Sequence, residues 1–300
     1  MVAPVRPARL PLVLSTAALT IAIAAPLKAE EGDYSFWQTL VNLVSPPKAD
    51  NKVTAAQRTG GYPLLSNPSG FSDGFQPGRY DAWQTIQLAP STGAVCGDGS
   101  PFKFFVNRVA DTRNTIVYME GGGACWDYAS CTGQTGVRGA RNPNGIPDDY
   151  MSLLNPGASL VSPFVTRVSP FDAVKTQGWN MVYIPYCTGD IYSGDRVAVY
   201  DDPSGHNAPL VWHHNGVRNV RAVVSWLKDN LPRPTQMLST GCSAGGAGSL
   251  TSYHPLRRDL ARVSEYFPQD VVELRALLTG EPELGIRATP GFGAQVELWM

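Results

Sequence analysis

The chain has 300 residues, 43% of them hydrophobic and 16% charged, with 24 Lys and Arg against 25 Asp and Glu for a formal net charge of −1. That length suffices for one large α/β domain with a sizeable core, and a near-neutral mix with no block of like charge excludes capture of nucleic acid or an anionic membrane by charge. Thirty glycines and 25 prolines are too many for a helical bundle and ordinary for a loop-rich enzyme built on short strands.

The first stretch, MVAPVRPARLPLVLSTAALTIAIAAPLKAEE, carries Arg6 and Arg9, an apolar run from Leu10 to about Ala25, then Ala29 ahead of Glu30 and Glu31. A basic start, a short apolar centre and a small-residue end predict a secretory signal peptide over 1–29, hence a secreted or periplasmic protein. Pro11, Ser15, Thr16 and Thr20 make the run weak and short for spanning, so no stable membrane anchor is expected. Residues 30–78 contain Pro46, Pro47, Pro63 and Pro68 and no motif; they read as an N-terminal extension, leaving 79–300 as the folded domain.

Within that domain, short apolar runs predict strands buried on both faces: Phe102 to Val109, Ile116 to Met119, Met181 to Pro185, and Gln236 to Leu238 with its flanks. Between the last two lies GVRNVRAVVSWLKDNLPRP, where Val217, Val220, Val223, Val224 and Leu227 recur at helical spacing and Pro232 closes the segment. A strand, helix, strand unit implies a parallel sheet. Five cysteines remain. Their spacing lacks the paired repeats of a zinc site, and in an oxidising compartment disulfides are expected. Cys125 and Cys131 are close enough to staple one loop, Cys96 and Cys187 can pair across the fold, and Cys242 reads as a small buried filler. Spacing alone leaves the connectivity open.

Two glycine-rich stretches carry the chemistry. In STGCSAGGAGSL, a strand-like run enters Gly241-Cys242-Ser243-Ala244-Gly245 and leaves as a helix. A G-x-S-x-G turn of this kind strains the serine backbone and lifts its Oγ to where a helix N-terminus points. Alone, the same pattern is equally well a simple turn. The earlier run TIVYMEGGGACWDYASC supplies context: a strand ending in three glycines leaves backbone N–H groups free for a ligand. Gly122 and Gly123, with Ala244, are the candidate oxyanion donors around an attacking Ser243.

These stretches, together with VCGDGSPFKFFV and PYCTGDIYSGD, resemble the pectin acetylesterase family, which includes the Notum-type carboxylesterases; the likeness runs from about Trp83 to Arg258. It implies an α/β-hydrolase-like fold with a mostly parallel sheet and flanking helices, secretion, disulfides, no cofactor, and hydrolysis of a carboxylic ester by a Ser, His, Asp triad. The substrate would be a small-molecule or polysaccharide acyl ester.

The pattern departs from the family after the serine. In α/β-hydrolases the acid and the histidine follow the nucleophile, yet the one histidine after Ser243 is His254, eleven positions along a helix and so about 16 Å away. The triad His and Asp are therefore unassigned. His206, His213 and His214 sit in the loop region before the helix, where Asp190 and Asp195 are candidate cleft-lining or loop-ordering residues. An adjacent histidine pair is too little for a metal site, and no metal is expected. Two readings follow: an active serine esterase, or a catalytically incomplete homologue or fragment, lacking the triad His and Asp, that at most binds ligand. The short tail also predicts that strands beyond the serine-bearing one are missing, leaving its far edge open and the chain poorly soluble.

Overall fold

The computed structural model describes residues 48–49, 65–135, 139–152, 155, 157, 162, 164–167 and 175–260, together with the backbone of 288–289 and 295–299. The expected signal peptide over 1–29 lies outside them, and the 30–78 extension is described only at 48–49 and 65–78. Among the described residues no helix is long and apolar enough to cross a membrane.

A seven-stranded sheet forms the centre: β1 (Trp83–Gln87), β2 (Lys103–Asn107), β3 (Thr115–Met119), β4 (Asn180–Ile184), β7 (Met237–Cys242), β8 (Ala288–Thr289) and β9 (Gln295–Trp299), in the order β1-β2-β4-β3-β7-β9-β8. Strands β3, β4 and β7 are mutually parallel neighbours, β2 is antiparallel to both β1 and β4, and β9 is antiparallel to β7 and β8. Five strands therefore run one way, and β2 and β9 run against them.

The apolar runs explain the middle of this order. TIVYM in β3 and NMVYI in β4 are buried at every position, as strands covered on both faces must be. At the sheet margin β1 instead alternates half-buried and buried residues, the period-2 pattern of a strand with one wet face. After a one-turn helix α1 (Tyr128–Cys131), helix α2 (Gly216–Asn230) buries Val220, Val223, Val224 and Leu227 against the main core, side chains one and two turns apart on one stripe. Burial of such a side chain stabilises by about 1.5–3 kcal/mol.

The open far edge expected for the serine-bearing strand is not found. Leu238 to Cys242 of β7 pair with Trp299 to Gln295 of β9, so the backbone groups that would template aggregation are satisfied within the chain. The segment that reads from sequence as a tail thus supplies an antiparallel neighbour to β7, and β8 becomes the edge of the sheet.

A second unit, a hairpin of β5 (Arg196–Tyr200) and β6 (Leu210–His214), stands apart from the main sheet. Fully buried Trp212 anchors it, its indole N–H donating to Thr188 O at 2.8 Å, and the His213 amide donates to Gly97 O at 2.8 Å. Disulfides join Cys96 to Cys187 and Cys125 to Cys131. Cys242 is a free thiol and half-buried rather than fully so.

Candidate active site

The carboxyl ends of β3, β4 and β7 converge on one surface. From β7 the chain passes through Ser243 into α3 (Ala244–Thr251), and Ser243 has φ +53° and ψ −119°. A serine in that region is strained by roughly 1–3 kcal/mol, and such strain persists only where the surroundings over-determine it. Here they do. A Cβ on Gly245 would run into the Met119 carbonyl at the end of β3, so the elbow presses on the neighbouring strand and only glycine fits. The serine itself is exposed, and among the described residues nothing hydrogen-bonds to its Oγ. Ala244, the first helical residue, is buried, and its N–H is among those a helix start leaves unpaired.

Alongside runs the glycine loop. The last amide tied to the sheet is that of Glu120, which donates to Ile184 O at 2.9 Å, and the next one tied down is Cys125, donating to Gly189 O at 2.8 Å. Between these two pins, the amides of Gly121, Gly122, Gly123 and Ala124 donate to no described residue. Unsatisfied backbone donors are rare unless water or a ligand takes them. Gly121 is the member that abuts the elbow: a Cβ on it would lie 3.2 Å from Ser243 Cβ. Gly122 faces Arg141 and Tyr186, and Gly123 has φ +90°.

Glu120 holds the loop from below. Its buried carboxylate accepts from the Tyr150 hydroxyl, from Asn142 Nδ2 at 3.1 Å and from the Tyr186 amide at 3.0 Å. Arg141 Nε stands 3.6 Å away as ion-pair partner, and Tyr192 Oη donates to the Glu120 carbonyl at 2.7 Å. Burial works against the Arg141 charge, but Tyr150 and Glu120 outweigh it and raise its pKa. Burial first, and then the Glu120 charge, raises that of Tyr150. Glu120 and Gly121 belong to the glycine-rich loop visible in the sequence, which by itself assigns them no role. The available signal was an acid placed directly after a fully apolar strand, which a core tolerates only when paired.

The remaining candidates lie elsewhere. Asp190 orders the loop after β4: its carboxylate accepts from Thr188 Oγ1 at 2.7 Å, from the Tyr192 amide at 3.0 Å, and from the Gly216 amide at 2.7 Å, which caps α2. Asp195 is ion-paired with Arg218 at 2.5 Å, both side chains well exposed. His214 accepts or donates with Tyr200 Oη at 2.9 Å, and His213 stacks near Gly99. Burial pushes the pKa of both histidines down. His206 is exposed in the hairpin turn, and His254 packs edge-on to Tyr253 beyond α3. None of these contacts involves Ser243. Among the described residues the one cluster of three metal-ligating groups is Cys125, Cys131 and His214, and both of its sulfurs are committed to a disulfide.

The chain is 29% identical over 182 residues to pectin acetylesterase 7 of Arabidopsis thaliana, covering 60% of this chain and 42% of that protein. Drosophila melanogaster palmitoleoyl-protein carboxylesterase NOTUM is 26% identical over 218 residues, 70% of this chain and 29% of its own length. A Danio rerio relative named inactive palmitoleoyl-protein carboxylesterase notum1b is 23% identical over 133 residues, 44% of this chain and 87% of that one. The chain therefore spans less than half the length of the Arabidopsis and Drosophila proteins. A crystal structure of the Drosophila Wnt deacylase Notum superposes with a TM-score of 0.42 at 22% identity, over 62% of this chain and 49% of that one. The family model for pectinacetylesterase matches residues 78–265, which takes in β1 through α3 with the elbow and the glycine loop: the chain belongs to the pectinacetylesterase family and has its α/β-hydrolase-like fold.

Proposed function

We propose that this chain is a secreted carboxylic ester hydrolase that uses Ser243 as nucleophile on an acetyl or other acyl ester. The observation that carries the reading is the strained, exposed serine set against a run of backbone amides with no partner among the described residues. Attack of Oγ on the ester carbonyl forms a tetrahedral intermediate whose negative oxygen is held by the amides of Gly122, Gly123 and Ala244. Losing one such donor costs about 3–4 kcal/mol of barrier. The alkoxide leaves with a proton, and water then releases the acid from the acyl-serine. The two disulfides support an oxidising compartment. Hydrolysis of p-nitrophenyl acetate tests the assignment: Ser243→Ala is expected to lower kcat by roughly a thousandfold or more, and equal rates would end it.

A second reading has its own support. A base must come within about 3 Å of Oγ, whereas His214 bonds Tyr200 of the hairpin at 2.9 Å and His213 lies beside Gly99, and among the described residues no histidine hydrogen-bonds to Ser243 Oγ. A serine without a base is a weak nucleophile at neutral pH. On this reading the chain binds an acyl ester without turning it over: titration of an acetylated oligosaccharide would give saturable binding with no acetate released.

A further inference from the structure

A cavity of about 840 Å³ lies away from Ser243. It is an open groove between the outer side of α2 and the segments around 71–73 and 87–92. The end marked by Asp195 and Arg218 lies where α2 begins, and the other end is marked by Asp229 near the close of the helix.

Its charges are mostly spent inside the protein. Arg218 is paired with Asp195. Asp73 has both oxygens engaged, Oδ1 by the Phe75 amide at 2.9 Å and Oδ2 by the Trp226 indole N–H at 2.7 Å. Left without a partner among the described residues are one guanidinium, Arg221, and one carboxylate, Asp229. Eight helix positions set them about 12 Å apart, with Ser225 between them and Gln87 on the facing wall. The Asp73 bond fixes the tilt of the Trp226 ring, which is also held edge-on by Phe75 and Phe104 at centroid distances of 4.8 and 5.1 Å.

Such a lining selects its ligand by chemistry. A polyanion would meet Asp229 and the Asp73 carboxylate with a single free cation to offset them, and desolvating unpaired charge is costly. A purely apolar ligand would strand Arg221, Gln87, Ser225 and Asp229. A polyhydroxylated chain avoids both penalties: each hydroxyl donates and accepts, so it satisfies the donor-only guanidinium and the acceptor-only carboxylate alike, while its C–H faces lie on the fixed aromatic wall. The volume is within the usual range of small-molecule sites. We propose that this groove is a second binding site, separate from Ser243, for an uncharged oligosaccharide.

The test is calorimetric titration of the full chain with two probes of equal length, galactotetraose and tetragalacturonate, alongside three variants. Galactotetraose is expected to bind one site; Ser225→Trp, which fills the groove from an exposed position, should weaken it at least about tenfold, and Arg221→Ala about threefold to tenfold. Ser243→Ala should leave it unchanged. Binding that survives Ser225→Trp, binding lost in Ser243→Ala, tighter binding of tetragalacturonate, or no binding of either sugar would each overturn the proposal. The site does not rest on the esterase reading, and failure of Ser243→Ala to alter ester turnover leaves these outcomes as they stand.

Discussion

Two regions at the carboxyl ends of the strands handle polar groups in opposite ways. Around the elbow, donors are backbone amides left open: Gly121 to Ala124 lie between a sheet bond at Glu120 and a loop bond at Cys125 and donate to no described residue. Around the hairpin β5–β6, the polar groups are side chains already engaged, with His214 on Tyr200 and Trp212 on Thr188. The first region keeps its capacity for a ligand because glycines let two strand ends press together, and the second spends its capacity on holding the hairpin down. Backbone arrangement alone thus supplies what the proposed nucleophile and oxyanion donors require. A base needs a side chain delivered from a distant part of the chain, and the histidine pair is not so delivered.

Removing the crosslinks one at a time sharpens this contrast, because each region has its own. Cys96 and Cys187 are 91 residues apart and tie down the turn at Gly97 that accepts from the hairpin, whereas Cys125 and Cys131 are 6 apart and end the glycine loop. Loop-closure entropy makes the first worth about 4–5 kcal/mol and the second about 2 kcal/mol. Urea unfolding of Cys96→Ser/Cys187→Ser and of Cys125→Ser/Cys131→Ser is expected to give losses in that order. Equal losses would mean that native-state packing rather than chain entropy governs both. On the elbow side, Glu120→Leu leaves the Arg141 guanidinium buried without its carboxylate, a change that typically costs 3–5 kcal/mol. The measurement is again the unfolding midpoint, and a loss below about 1 kcal/mol would show that Arg141 finds another partner.

What was legible follows the range of the interactions involved. Apolar runs located β2, β3, β4 and β7, and the 3.6-residue spacing of valines located α2, which begins at Gly216. The elbow at Ser243 was legible because its geometry is set by five adjacent residues. The hairpin was not: RVAVY and LVWHH are separated by a long polar turn, and β5 is half-exposed with no clean alternation. The antiparallel direction of β2 and the pairing of β9 with β7 depend on chain routing, which no local pattern encodes. Glu120 was missed because its partners, at positions 141, 142, 150 and 186, come from three other segments.

The hairpin region makes the weaker predictions. Burial depresses the pKa of both histidines below the ordinary value of 6.5, with His214 adding to the effect on His213. The folded state then binds fewer protons than the unfolded one, so this contribution to stability is complete above about pH 6.5 and is lost as pH falls through the folded values. Unfolding of the wild type between pH 7 and pH 5 should therefore fall more steeply than that of His213→Gln/His214→Gln, and parallel curves would mean that the rings titrate normally. The smallest effect belongs to Asp195. Its pair with Arg218 has side chains 45% and 40% exposed, and exposed pairs contribute about 0–1 kcal/mol because water already solvates both ions. Asp195→Ala should thus shift the unfolding free energy by less than about 1 kcal/mol and leave KM for p-nitrophenyl acetate unchanged. A severalfold rise in KM with unchanged stability would bring Asp195 into contact with substrate and extend the site from the glycine loop toward the start of α2, joining the two regions that the hydrogen bonding keeps apart.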